Sequence, residues 1–161
     1  MSRLILIRHS IAESGSFETS DFERKLTPQG VKRAYNQSEE LKNKNIKPDL
    51  IITSSATRAI ETAGIFSEQI GERCPVKEVP FLYENYTTND FFSFLNTIDN
   101  KYSTVLLVGH NPTISEMAYR LDSDVSVAFS PCEIVIVSVG NNWNLLEVGG
   151  GKIDEVISPK G

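Results

Sequence analysis

Histidine and cysteine are scarce in this chain, each occurring twice in 161 residues. Cys74 and Cys132 show no CxxC spacing, so neither a disulfide framework nor a cysteine metal site is expected, and ordinary reduced thiols are the simplest reading. Long apolar runs are also missing. The stretch between Arg3 and Arg8 holds only "LILI", short of the ~7 residues of a signal-peptide core, and nothing approaches a membrane span. A cytoplasmic protein is therefore expected. Positive charge is in deficit, with a formal net charge of -5 and a pI near 5.1. That balance argues against nucleic-acid or anionic-membrane partners, since phosphate-bearing surfaces attract basic faces, but it leaves room for a local basic pocket. The chain also lacks a GxxxxGK[ST] nucleotide loop, an HExxH pair and clustered carboxylates, and its triple glycine near the end lacks the strand-to-helix setting of a dinucleotide fingerprint. No cofactor and no metal are expected.

With 40% hydrophobic and 23% charged residues, the chain is sized for one domain over residues 1–161 with a sizeable core. Prolines and glycines are scattered and nothing repeats at a fixed period. Leu4–Ile7 is an apolar run of the kind that forms a strand covered on both faces. Ser10 to Lys25 reads as a long loop. A helix follows, capped by Thr27 with Pro28 at its first position and with Val31, Ala34, Tyr35 and Leu41 as its apolar stripe. "PDLIITS" is a second buried strand, and "TRAIETAGIFSEQIG" a second helix carrying Ala59, Ile60, Ala63 and Ile70 and closing at Gly71. "CPVKEV" is a short strand, "TTNDFFSFLNTI" a helix capped at Thr88, "TVLLV" a third buried strand and "PTISEMAYRL" a helix starting at Pro112. The end reads as a hairpin of "EIVIVSV" and "WNLLEV" around "GNN", with a loosely attached tail after Gly149. The expected fold is α/β, three-layer αβα, with a mostly parallel central sheet and an antiparallel edge hairpin near the C-terminus.

Both histidines close a buried-type strand, "LILIRH" and "TVLLVGH". A lone histidine beside an apolar run is more often a structural group than a catalyst, and an arginine ending a strand is usually solvated. Here the fold supplies convergence. In open α/β sheets the ligand crevice lies beyond the carboxyl ends of the strands, where Arg8, His9, Ser54, Gly109 and His110 all fall. Arg58 sits in the first turn of a helix, whose N-terminus offers free N–H groups and positive dipole to an anion. Two arginines, two histidines and a helix start make a phosphate-sized pocket. Phosphoryl transfer without metal needs a nucleophile and fixed positive charge around the equatorial oxygens, which imidazole and guanidinium supply.

"LILIRHSIAE", "DFERKLTPQGVKRA", "SSATRAIETA" and "LLVGHNPTIS" together resemble, in order and spacing, the blocks of the histidine phosphatase (phosphoglycerate mutase-like) superfamily. The resemblance covers roughly Arg3 to Leu121, and the short length makes the chain look most like SixA-type phosphohistidine phosphatases. It implies that His9 is the nucleophile that becomes transiently phosphorylated, and that Arg8, Arg58 and His110 hold the phosphoryl group. It also implies Arg24 as a further contact, although a solvated loop arginine is an equal account, and it offers Asn111 as a hydrogen-bonding group that could equally serve its own turn. Ser10 and Ser55 depart from the usual small residue and proline, and Ser10 would add a hydroxyl to the pocket. Mutase-like relatives take a general acid from the segment corresponding to "PFLYENYTTND", which makes Glu84 the candidate, against a surface glutamate as the alternative.

The leaving group sets how much an acid matters. An alkoxide needs one, with a benefit of about 100- to 10,000-fold, whereas an imidazole leaving from phosphohistidine departs neutral, its conjugate acid having a pKa of about 6.5. The favoured expectation is a metal-independent phosphatase acting through phospho-His9 on phosphohistidine in a phosphorelay protein, such as a histidine phosphotransfer domain. The alternatives are a phosphatase for a small phosphate ester and a catalytically idle phosphate-binding module.

Overall fold

The computed structural model describes residues 1–70, 72 and 74–160. Four apolar runs build the sheet interior: β1 (Ser2–Arg8), β2 (Leu50–Thr53), β4 (Thr104–Gly109) and β5 (Ile134–Val139), with β3 (Val76–Glu78) and β6 (Gly151–Ile157) at the edges. The strand order is β3-β2-β4-β1-β5-β6. β1, β2, β3 and β4 pair in parallel, and β5 runs antiparallel to both β1 and β6. Runs without alternation form these strands because both faces are covered.

The pleat divides the core. Leu4, Leu6, Ile52, Val105 and Leu107 point to one face with Phe91, Leu95, Ile114 and Met117 of α3 (Thr88–Leu95) and α4 (Thr113–Leu121). Ile5, Ile7, Ile51, Leu106 and Val108 point to the other, against Ala34, Leu41, Ala63 and Phe66 of α1 (Pro28–Asn43) and α2 (Thr57–Ile70). Successive residues of one strand thus serve opposite layers, giving the three-layer αβα sandwich.

Several local expectations are corrected. The partner of β5 is not "WNLLEV", whose first half folds as a short 3-10 turn at Trp143–Leu145 with the Trp143 ring buried and its indole N–H donating to the Tyr102 carbonyl. The segment after Gly149 is instead the edge strand β6, its alternating exposure showing one covered face. A long irregular connection with one large anchoring aromatic had the composition of a strand. The apolar stripe of α1 is narrower than expected, because Val31 and Tyr35 lie at its exposed side while Gln37 is buried and donates to the Cys132 and Ile157 carbonyls. Ile60 is likewise on the outer side of α2. The cap of α3 is Thr87 rather than Thr88, in a reciprocal capping box with Asp90. The expected helix end at Gly71 lies outside the described residues. Thr27 caps α1 as expected, accepting from the Gly30 N–H. No helix among the described residues is long and apolar enough to cross a membrane.

Candidate active site

The register of β1 on β4 brings the histidines together. Arg8 pairs with Gly109, the two strands end side by side, and the His9 N–H donates to the Gly109 carbonyl at 3.0 Å. One residue further on, the rings of His9 and His110 lie 5.1 Å apart between centroids. β2 ends alongside, where the Ser54 N–H donates to the Val108 carbonyl at 3.1 Å. Arg58 then enters from the first turn of α2, its side chain buried to 8% exposure. On the far side, Cys132, at φ 68°, donates its N–H to the carbonyls of Arg8 and His9 and folds the approach to β5 onto the end of β1.

The ring of His9 is oriented by its own backbone. Nδ1 lies 2.7 Å from the Ser10 carbonyl, which only accepts, so the ring proton is on Nδ1 and Nε2 carries the lone pair. The Arg58 Nε–H donates to that lone pair at 3.3 Å. Burial pushes the His9 pKa down to about 3, with His110, Arg58 and Arg8 adding to the depression and the Ser10 carbonyl opposing it. Burial, then Arg58, similarly lowers His110 to about 4. Both rings are neutral near pH 7. Arg8 crosses the same end of the sheet, anchored by one guanidinium N–H on the Phe129 carbonyl at 3.0 Å.

Among the described residues, the buried side-chain polar atoms without a partner are Arg8 Nε, Ser55 Oγ, Tyr86 Oη and His110 Nδ1. Two of these belong to the crevice residues and a third to the approach to α2. Leaving buried donors unpaired is costly, and a tetrahedral oxyanion is the kind of ligand that satisfies several at once. No group of three metal-ligating side chains occurs among the described residues.

Other expected site residues are placed differently. The Ser10 hydroxyl is fully buried and donates to the Gly30 carbonyl at 2.7 Å, so it braces the start of α1 and is not presented to a ligand. Asn111 donates to the Phe129 carbonyl at 2.8 Å and accepts from Ser115 at 2.6 Å, which ties the segment before β5 to the end of β4. Arg24 spans the loop to the Glu13 carbonyl and pairs with Asp21 at 2.8 Å, reaching the crevice through Asp21. Glu84 is exposed and faces a neighbouring surface cavity with Phe81, Asn85, Tyr86 and Asp90, with no hydrogen bond to either histidine or to Arg8 or Arg58. The carboxyl that does stand at the crevice is Asp21.

Asp21 was not singled out by sequence reasoning. It lies in the short 3-10 turn Asp21–Glu23, inside the loop from Ser10 to Lys25. Its carbonyl accepts from Arg58 at 2.7 Å, and its carboxylate accepts from Arg58 at 3.2 Å, from the Tyr83 hydroxyl at 2.7 Å and from Arg24. Those donors, Tyr83 and Arg24 foremost, hold its pKa well below the usual carboxylate range. Tyr83 was missed as well, one position before the glutamate chosen instead. Its ring meets the His110 ring edge-on at 5.7 Å and lies 5.9 Å from the Arg58 guanidinium carbon. The spacing of Asp21 and Arg24, three apart within "DFERKLT", was the one available signal for Asp21.

The histidine phosphatase superfamily (branch 1) matches residues 4–89. A curated relative, an uncharacterized chloroplastic protein of Arabidopsis thaliana, is 28% identical over 98% of this chain and 78% of its own length. Among solved structures, the protein histidine phosphatase SixA complexed with tungstate superposes with a TM-score of 0.83 at 19% identity, covering 97% of this chain and 96% of that one. A mycobacterial glucosyl-3-phosphoglycerate phosphatase gives 0.72 at 15% identity, covering 96% and 97%. These two likenesses concern the fold.

Proposed function

The chain belongs to the histidine phosphatase superfamily, and from that premise we propose that it is a phosphohistidine phosphatase working through a phospho-His9 intermediate. The observation that supports the reading best is negative charge without an available acid. The carboxyl at the crevice, Asp21, is held ionised by three donor side chains, and Glu84 lines a surface cavity with Phe81, Asn85, Tyr86 and Asp90. Such a site suits a leaving group that departs without being protonated by the enzyme.

His9 Nε2 attacks phosphorus, and the bond from phosphorus to the substrate's ring nitrogen breaks. The electron pair goes to that nitrogen, which leaves as neutral imidazole when the substrate ring carries a proton on its other nitrogen. His9 retains its Nδ1 proton against the Ser10 carbonyl, so the phosphorylated ring is an imidazolium stabilised where it already donates. Water then attacks phosphorus from the opposite side, the bond to Nε2 breaks, and both water protons leave with the phosphate. Arg8, Arg58 and His110 hold the equatorial oxygens through the transition state. Asp21, Arg24 and Tyr83 set the position of Arg58.

A protein-borne phosphohistidine, as in a histidine phosphotransfer domain in the same compartment, fits a site at the open end of the sheet. A cytoplasmic location fits two unbridged cysteines. The test is phosphate release in EDTA from a histidine-phosphorylated protein and from a small phosphate ester, with the wild type and His9→Ala. Preference for the phosphohistidine, lost by about a millionfold in the mutant as for other covalent nucleophiles, supports the reading. Strong ester turnover makes the protein a metabolite phosphatase, and turnover of neither makes it a phosphate-binding module.

A further inference from the structure

Ser54 is fully buried at the end of β2, held beside β4 by the Thr53 to Val108 pairing. Its hydroxyl has two neighbours. The Ala56 N–H donates to it at 3.2 Å, and His110 Nε2 lies 2.7 Å away. An amide N–H can only donate, so the hydroxyl proton is free for the second contact. Were Nε2 of His110 protonated, both neighbours would donate to Ser54 Oγ, and the hydroxyl proton would be buried with no acceptor among the described residues. Both contacts of the Ser54 hydroxyl are satisfied only when Ser54 donates to a bare Nε2. The proton of neutral His110 then sits on Nδ1, the ring atom that is buried without a partner.

We infer that Ser54 is a positioning residue that fixes His110 in the Nδ1–H tautomer, so that a neutral imidazole presents an N–H donor to the phosphoryl group carried by His9. The two rings thus share a tautomer and differ in what they show. His9 turns its protonated Nδ1 to the Ser10 carbonyl and offers bare Nε2, whereas His110 turns bare Nε2 to Ser54 and offers Nδ1–H. One residue attacks and the other receives oxygen, from identical chemistry. An imidazolium at His110 would instead put donors on both nitrogens and break the bond from Ser54. The burial that holds His110 neutral, with its pKa near 4, is consistent with this division.

The inference deepens the proposed function, and depends on it for the identity of the acceptor but not for the tautomer. The chain's two histidines make the test direct, because His9→Gln leaves one ring. Nitrogen NMR of ring-labelled full-length His9→Gln near pH 7 is expected to show a protonated Nδ1 and a bare Nε2 at His110, and adding Ser54→Ala is expected to shift the ring toward the Nε2–H form. In the His9 background, Ser54→Ala is expected to lower kcat by about 10- to 100-fold, less than the ~100- to 1,000-fold cost of deleting an oxyanion donor, because the ring remains in place. A protonated Nε2 in the Ser54-intact protein overturns the inference, as does a tautomer that Ser54→Ala leaves unchanged. If Ser54→Ala fails to fold, the Ser54-intact spectrum still decides. A chain with no phosphatase activity but with Nδ1–H at His110 would sink the proposed function and leave the tautomer assignment standing.

Discussion

Arg58 Nε lies 3.3 Å from His9 Nε2 and covers the lone pair that would attack phosphorus, while the two terminal nitrogens of the same guanidinium hold Asp21. One side chain therefore links His9 to the loop over the crevice. Its planar fork makes all three contacts at once, which a point charge cannot reproduce.

Arg58→Lys is accordingly expected to lose at least about 100-fold in kcat/KM despite keeping the charge, the scale of losing a preorganised donor. Steady-state phosphate release compared with wild type checks this, and near-wild-type turnover would refute a role for the fork.

Glu84→Gln is expected to change phosphohistidine hydrolysis by less than about twofold, within the range of a surface substitution. Asp21→Asn is expected to cost about two- to fivefold, because its carboxylate is half exposed and its pairs are screened. A large, leaving-group-dependent loss in Glu84→Gln, seen with an ester and a phosphohistidine side by side, would restore it as a general acid.

Stability should fall with acid in a window set by the histidines. Both folded pKa values, about 3 for His9 and about 4 for His110, lie below the unfolded value of about 6.5. Below about pH 6.5 the unfolded chain binds more protons, so stability is full above that value and declines as pH falls toward the folded pKa values. At pH 5 each ring costs about 2 kcal/mol. Asp21, also depressed, adds a further loss in the same direction below the ordinary carboxylate pKa. Denaturant unfolding at pH 7 and pH 5 reads the difference, and His9→Gln with His110→Asn should flatten most of it.

Gly30→Ala should be disruptive without touching the crevice. A Cβ at Gly30 would stand 2.1 Å from the Ile11 carbonyl oxygen, which is backbone and cannot give way. The Gly30 carbonyl also accepts the Ser10 hydroxyl, so the clash is transmitted to the residue after His9. An expected loss of about 1–3 kcal/mol, with activity falling alongside, is measurable by thermal melting and turnover together.

The strands and the convergence of Arg8, His9, Arg58 and His110 were legible in the sequence because their signals are local. An unbroken apolar run is a doubly covered strand, and in a parallel sheet the residue after each run must come to one edge. The family blocks said the same. What pairs with β5 was not legible, because β6 alternates weakly and its choice over "WNLLEV" depends on where Trp143 finds a buried acceptor at Tyr102. Tertiary contact also assigned the hydroxyls and carboxyls. Ser10, Asn111 and Asp21 are short polar side chains with partners far along the chain, as when Tyr83 donates to Asp21 across 62 positions. Sequence determined which residues meet at the end of the sheet; only the folded geometry assigns a bare nitrogen to each ring, because a tautomer is fixed by the group on the other side of the ring.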